Sequence, residues 1–169
     1  MNSFLRTIAI LGAATASAGA AELGPACMPI MRAMAKTLVV DHATVTQING
    51  HAANGITAGG VNYIQVENVW KVSPFSPQEN LARSEENLRN AKSYVCQSLP
   101  DSSIDGVAVA NYRTRTETDE GVAESTIAIS KASGLAIEVV NYHDAGEGTR
   151  SHYSTRYSYT GIHAPSVAK

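Results

Sequence analysis

Long apolar runs, zinc-binding motifs and nucleophile motifs are all missing from the mature part of this 169-residue sequence. Beyond the first 21 residues, no apolar stretch approaches the roughly 20 residues that a membrane-spanning helix needs. The serines form no Gly-x-Ser-x-Gly motif, and no His-Glu-x-x-His motif is present to bind zinc. We therefore expect a mature chain with no membrane span, no catalytic residue, no bound metal and no other cofactor.

Positive charge is also in short supply. The chain has 13 lysines and arginines against 15 aspartates and glutamates, a formal net charge of −2. Nucleic-acid binding needs a clustered positive field. This charge balance therefore excludes nucleic acid as the expected partner.

The N-terminal residues 1–21 have the three parts of a secretory signal peptide. A single positive charge at Arg6 precedes an apolar core, and alanine-rich sequence follows. Small residues at Ala18 and Ala20 favour cleavage after Ala20. The alternative is a membrane anchor, but this stretch has about a dozen apolar residues where a span needs roughly 20. We expect cleavage and a periplasmic or secreted mature protein.

Cys27 and Cys96 are the only cysteines. An even pair in an oxidising compartment predicts a disulfide. Free thiols and a redox site are the alternatives, although redox cysteines usually lie two residues apart. Cys27 also lies well beyond the predicted cleavage site, which argues against a lipidated N-terminus.

Apolar periodicity divides the mature chain into two helices and about six strands. The predicted elements are a helix over residues 25–40, strands over His42–Ile48 and Val61–Val72, a helix from Ser76 to Cys96, and four strands from Ile104 onward. Residues 49–60 are predicted to form a connection. The order predicts one α+β domain over 22–163, with two helices on one face of an antiparallel sheet, and a frayed tail over 164–169.

The C-terminal part carries a family resemblance. One strand ends in Lys131-Ala132-Ser133-Gly134-Leu135, and the last strand finishes in Tyr157-Ser158-Tyr159. This pair of segments resembles the closing hairpin of the lipoprotein-carrier (LolA-like) superfamily, in which proline usually follows the Gly-Leu pair that precedes Ala136 here. The resemblance implies a curved antiparallel sheet folded around helices, with an apolar cavity for acyl chains. The residues then expected to line the cavity are Ile64, Val66, Trp70, Ile127, Ile129, Ile137 and Val139.

Two polar groups offer other interpretations. Arginines and tyrosines of the last strands suit a protein interface, although they are also ordinary on an exposed sheet face. This candidate partner face comprises Arg113, Arg115, Arg150, Arg156, Tyr157 and Tyr159. His143 and His152 flank one hairpin turn and are candidates for a weak metal or acid/base site if they face each other.

The sequence thus favours a periplasmic, non-enzymatic binding protein that holds a hydrophobic or lipid-like ligand between the sheet and the helices. The alternative is a small secreted protein-binding module, of the inhibitor or immunity type, that uses its exposed sheet face. An enzyme ranks third.

Overall fold

In the computed structural model, which describes residues 24–144 and 150–167, two helices lie on one side of a nine-stranded antiparallel sheet. A short 3-10 turn, Pro25–Cys27, leads into α1 (Met28–Val39), and the second helix is α2 (Pro77–Arg89). The strands are β1 (His42–Ile48), β2 (His51–Ala58), β3 (Val61–Val66), β4 (Val69–Val72), β5 (Ser93–Ile104), β6 (Val107–Thr118), β7 (Gly121–Ser130), β8 (Ala136–Asp144) and β9 (Arg150–Ser158). Their spatial order is β4-β3-β2-β1-β9-β8-β7-β6-β5. The predicted α+β class is confirmed, but the sheet has nine strands instead of about six.

Two of the three additional strands come from hairpin turns. The predicted connection over 49–60 contains β2, because Asn49–Gly50 and Gly59–Gly60 are two-residue turns. Both residues of each turn have positive φ, at 50° and 84° in the first and 59° and 77° in the second. This geometry matches the right-handed twist of the adjoining strands. The strand predicted over Val61–Val72 is likewise a hairpin, with β3 and β4 joined at Glu67–Asn68.

The third additional strand is β5, and it corrects the predicted end of the second helix. α2 ends at Arg89, and Cys96 lies in β5, where it pairs with Thr114 of β6. The predicted disulfide between Cys27 and Cys96 is confirmed, with Cα atoms 5.2 Å apart. It therefore ties the start of α1 to the edge strand β5 and not to the end of α2.

The starts of both helices agree with the sequence. Pro29 lies in the first turn of α1, where the missing N–H has no intrahelical partner to lose. α2 begins with a capping box, in which the Ser76 hydroxyl accepts from the backbone N–H of Glu79 and the Glu79 carboxylate accepts from the N–H of Ser76. Among the described residues, neither helix is long and apolar enough to cross a membrane.

The hydrophobic core lies between α1 and the middle of the sheet. Ile30 and Ala33 of α1 are 1% and 2% exposed. They form one cluster with sheet residues of β7 and β8, namely Ile127, Ile129, Ala136 and Val139. The side of the sheet that carries these residues is called the helix side below, and the other is called the outer side.

α2 connects the two edge strands, β4 and β5, and packs mainly on α1. The chain therefore crosses the full width of the sheet without pressing α2 onto it. The predicted signal peptide lies outside the described residues. Residues 162–167 of the tail have no regular secondary structure.

Candidate functional site

A groove of about 990 Å³ lies between the two helices and the helix side of β5 to β9. Its wall on α1 is mostly apolar and comprises Met31, Met34, Ala35 and Leu38. Its wall on α2 combines Leu81 and Leu88 with the polar Ser84, Glu85 and Asn87. This volume is at the upper end of the roughly 300–1,000 Å³ typical of small-molecule pockets.

The groove exists because α1 carries two apolar stripes instead of one. Residues three, four and seven positions apart share a face of a helix. One stripe, Ile30, Ala33 and Thr37, is buried against the sheet. The neighbouring stripe, Met31, Met34, Ala35 and Leu38, borders the groove. The sequence predicts this helix, but its spacing alone does not separate the two stripes.

α2 supplies the opposite wall. Leu81 and Leu88 are seven residues apart, so they lie on one face. Both are half-buried and border the groove. Of the residues in α2, Pro77 is the one that is fully buried. Leu81 and Leu88 of α2 therefore border open space. Their seven-residue spacing is the sequence signal that places them on one face of the helix.

The floor of the groove changes from apolar to polar along β7 and β8. Ile127 pairs with Val139, and both are buried. One step towards the turn between β8 and β9, Ser125 pairs with Asn141, and both are half-buried. One further step places Ala123 opposite His143. Rows two residues apart along a strand are separated by about 7 Å, so the gradient covers the length of a small amphiphile.

Charged residues gather at the polar end of the groove, which we call the mouth. The turn between β6 and β7 places Asp119 and Glu120 there. Lys92 lies 2.8 Å from Asp119, and its hydrogen bond lowers the pKa of the Asp119 carboxyl. Tyr94 lies beside the floor, where burial raises the pKa of its phenol.

The residues predicted to line a cavity are only partly brought together. Ile127 and Val139 border the groove. Ile129 belongs to the core cluster beside them. Ile137 is the β8 residue without a pairing partner on β7, because the register between the two strands shifts there. The other three, Ile64, Val66 and Trp70, lie beyond the groove.

Ile64 and Val66 lie on the helix side of β3, where they are 41% and 38% exposed. Trp70, expected on the same face, lies on the outer side. The turn at Glu67–Asn68 reverses the chain, so Trp70 pairs with Gln65 instead of continuing the alternation of β3.

The candidate partner face is also divided. Arg113, Arg115 and Arg156 lie on the outer side, whereas Tyr157 lies on the helix side. There Tyr157 packs against the core, and burial raises its pKa to about 12. Tyr159 donates its hydroxyl hydrogen to the carbonyl oxygen of Ala136.

Two of the outer-side arginines have carboxylate partners in this chain. Arg115 lies 2.8 Å from Glu124. Arg156 lies 2.9 Å from Glu138 and 3.1 Å from Asp105. The backbone of Arg150 pairs with Asp144, and its side chain lies outside the described part of the structure.

The two histidines beside the last hairpin do not face each other. His143 pairs with Ser151 on the helix side, while His152 pairs with Tyr142 on the outer side. The ring of His152 stacks on Tyr142, with centroids 4.6 Å apart. Among the described residues, no group of three His, Cys, Asp or Glu side chains is placed to hold a metal. The condition for this candidate site, that the two histidines face each other, is therefore not met.

No known protein family and no curated protein matches this sequence. Solved structures similar to it include the lipoprotein LppX of Mycobacterium tuberculosis, with a TM-score of 0.49 and 10% identity over 82% of this chain and 97% of that one. LprF of Mycobacterium bovis has a TM-score of 0.48 and 10% identity over 86% and 99%. An outer membrane lipoprotein-sorting protein domain from Vibrio parahaemolyticus has a TM-score of 0.32 and 8% identity over 80% and 93%.

Proposed function

We propose that this protein is a non-enzymatic binding protein that holds a hydrophobic or lipid-like ligand in the groove. The observation that carries the proposal is the apolar face of α2. Leu81 and Leu88 border the groove together with Met31 and Leu38 of α1. A ligand that covers these four large apolar side chains gains about 25 cal/mol of binding free energy for each Å² of apolar surface that it removes from water.

The place of action that we propose is outside the cytoplasm, after removal of residues 1–21. The disulfide between Cys27 and Cys96 supports this placement, because disulfides persist in oxidising compartments. A hydrophobic ligand that moves through an aqueous compartment needs such a covered site.

The alternative of a protein-binding module has less support. Its arginines Arg115 and Arg156 already pair with carboxylates of the same sheet. Tyr157 lies on the opposite side of the sheet from them. The six residues therefore do not form one surface that is available to a partner.

Binding of the fluorescent apolar probe N-phenyl-1-naphthylamine tests the proposal. We expect saturable binding to the wild-type protein. Ala35→Trp should fill the groove and weaken binding about tenfold or more, which corresponds to about 1.4 kcal/mol. Ala82→Trp is the matched control, because Ala82 is exposed on α2 and outside the groove lining. Circular dichroism checks that both variants are folded.

Absence of saturable binding to the wild type would overturn the proposal. Equal binding by the two tryptophan variants would show that the groove is not the binding site. Extraction of lipid from protein purified from its own cell envelope provides a second measurement, and the Ala35→Trp variant should carry less of it.

A further inference from the structure

We infer that the groove selects an amphiphile with a hydrogen-bond acceptor next to its apolar chains, and that Asn141 and Tyr153 supply the donors that bind this acceptor. This inference rests on the proposed function and names the chemical class of the ligand. It follows from the order of side chains along the floor.

The donors lie in one row across four strands. Thr114 of β6 pairs with Ser125 of β7, Ser125 pairs with Asn141 of β8, and Asn141 pairs with Tyr153 of β9. This row, which we call the polar row, is adjacent to the apolar row of Ile127 and Val139. A ligand with its chains on the apolar row therefore places its next group on the polar row.

Hydrogen bonding within the polar row leaves donors free to bind a ligand. The Ser125 hydroxyl donates to Oδ1 of Asn141 at 2.6 Å. This fixes the amide orientation, so Nδ2 of Asn141 carries two hydrogens directed elsewhere. Within residues 24–144 and 150–167, neither this Nδ2 nor the hydroxyl of Tyr153 has a hydrogen-bond partner. Tyr153 is 38% exposed and borders the groove.

The free groups define the complementary chemistry. An amide N–H and a phenolic O–H both donate, and an ester or amide carbonyl oxygen accepts. A saturated hydrocarbon offers no acceptor, so it gains nothing from this row. A ligand that leaves these donors unpaired loses the affinity that a buried hydrogen bond contributes.

The test compares two probes that compete with N-phenyl-1-naphthylamine. Dioctanoylglycerol has two ester carbonyls next to its apolar chains, and hexadecane has no acceptor. We expect dioctanoylglycerol to bind about tenfold more tightly than hexadecane.

Two conservative variants locate the donors. Asn141→Asp preserves the shape and the bond from Ser125 but replaces the donor with a carboxylate oxygen, so dioctanoylglycerol binding should weaken about tenfold. Tyr153→Phe removes one hydroxyl and should cause a smaller loss. Gln47→Glu adds the same charge on the exposed outer side of β1 and should leave binding unchanged.

The outcomes separate this inference from the proposed function. If the naphthylamine probe binds and dioctanoylglycerol shows no preference over hexadecane, the inference is wrong while the binding function stands. Unchanged dioctanoylglycerol affinity in both Asn141→Asp and Tyr153→Phe would overturn the assignment of the donors. Failure of the naphthylamine probe to bind the wild type would remove the proposed function itself.

Discussion

The buried hydroxyl of Thr37 in α1 accepts a hydrogen bond at 2.9 Å from the backbone N–H of Ala136 at the start of β8. Both residues are fully buried, and they are 99 positions apart in the chain. The bond requires a residue with a backbone N–H at position 136. A proline would have no N–H to donate to Thr37.

Thr37→Val should destabilise the protein by about 2 kcal/mol, because it keeps the side-chain shape but leaves the Ala136 N–H buried without a partner. Thr37→Ser keeps the acceptor and should lose less. The free energy of unfolding in urea measures both. Equal stabilities of the valine and serine variants would show that the hydrogen bond contributes nothing.

The disulfide joins residues 69 positions apart. In the chain-entropy account, a closed loop of this length stabilises the folded state by about 4 kcal/mol. Cys27→Ala/Cys96→Ala should lose stability of that order, and reduction of the wild type should have a similar effect. Unfolding in urea with and without reductant provides the comparison. The variant itself should not respond to reductant.

His42 should make the protein less stable in mild acid. It is 5% exposed, and burial lowers its pKa from the ordinary 6.5, an effect partly offset by its bond to the carbonyl of Val40 and by nearby Asp41. The unfolded chain therefore binds a proton at a higher pH than the folded protein does. Stability should be fully present above about pH 6.5 and fall as the pH drops towards the folded-state value.

The ring of His42 makes one short hydrogen bond. Nδ1 lies 2.8 Å from the carbonyl oxygen of Val40, whereas Nε2 faces the Thr57 hydroxyl at 3.5 Å. That hydroxyl donates its hydrogen to Asn62. His42→Asn keeps a donor near Val40 but does not titrate. Urea unfolding between about pH 8 and about pH 5 should show a shallower pH dependence in the variant. Parallel pH profiles would contradict this role for His42.

Position 55 in β2 requires glycine because the side chain of Thr44 lies close to its backbone. A Cβ atom at this position would lie 2.6 Å from Oγ1 of Thr44 on the paired strand β1. Gly55→Ala should therefore cost about 1 kcal/mol or more, since overpacking strains both strands. Thr44→Ala should relieve the clash, so the double variant should be more stable than additivity predicts. Additive losses in urea unfolding would show that the two side chains do not compete for space.

The starts of both helices and the four C-terminal strands were predictable because each carries a strong local signal. The capping box at Ser76 and the alternation of β6 to β9 are examples. β2 was missed because Ala52, Ala53 and Gly55 have little strand preference. The turns that enclose it, Asn49–Gly50 and Gly59–Gly60, were the available signal.

The groove was less predictable than the fold. Leu88 and Val95 are seven residues apart and fit a helix, so β5 was interpreted as the end of α2. In α1, Ile30 and Met31 are equally apolar, and periodicity alone does not show which one packs against the sheet. Ile127 and Val139, two of the residues expected to line a cavity, border the groove. Trp70 lies on the other side of the sheet because of the turn at Glu67–Asn68, and the sequence signals for that turn are weak.

Because α2 packs on α1, the residues that form the folding core differ from those of α2 that border the groove. The folding core lies around Ile30 and Val139, whereas Leu81 and Leu88 border the groove. Substitutions at these two leucines should therefore change the size and shape of the groove with little cost to the core. Under the proposed function, one helix face would then determine which ligand fits, while the sheet keeps the same core.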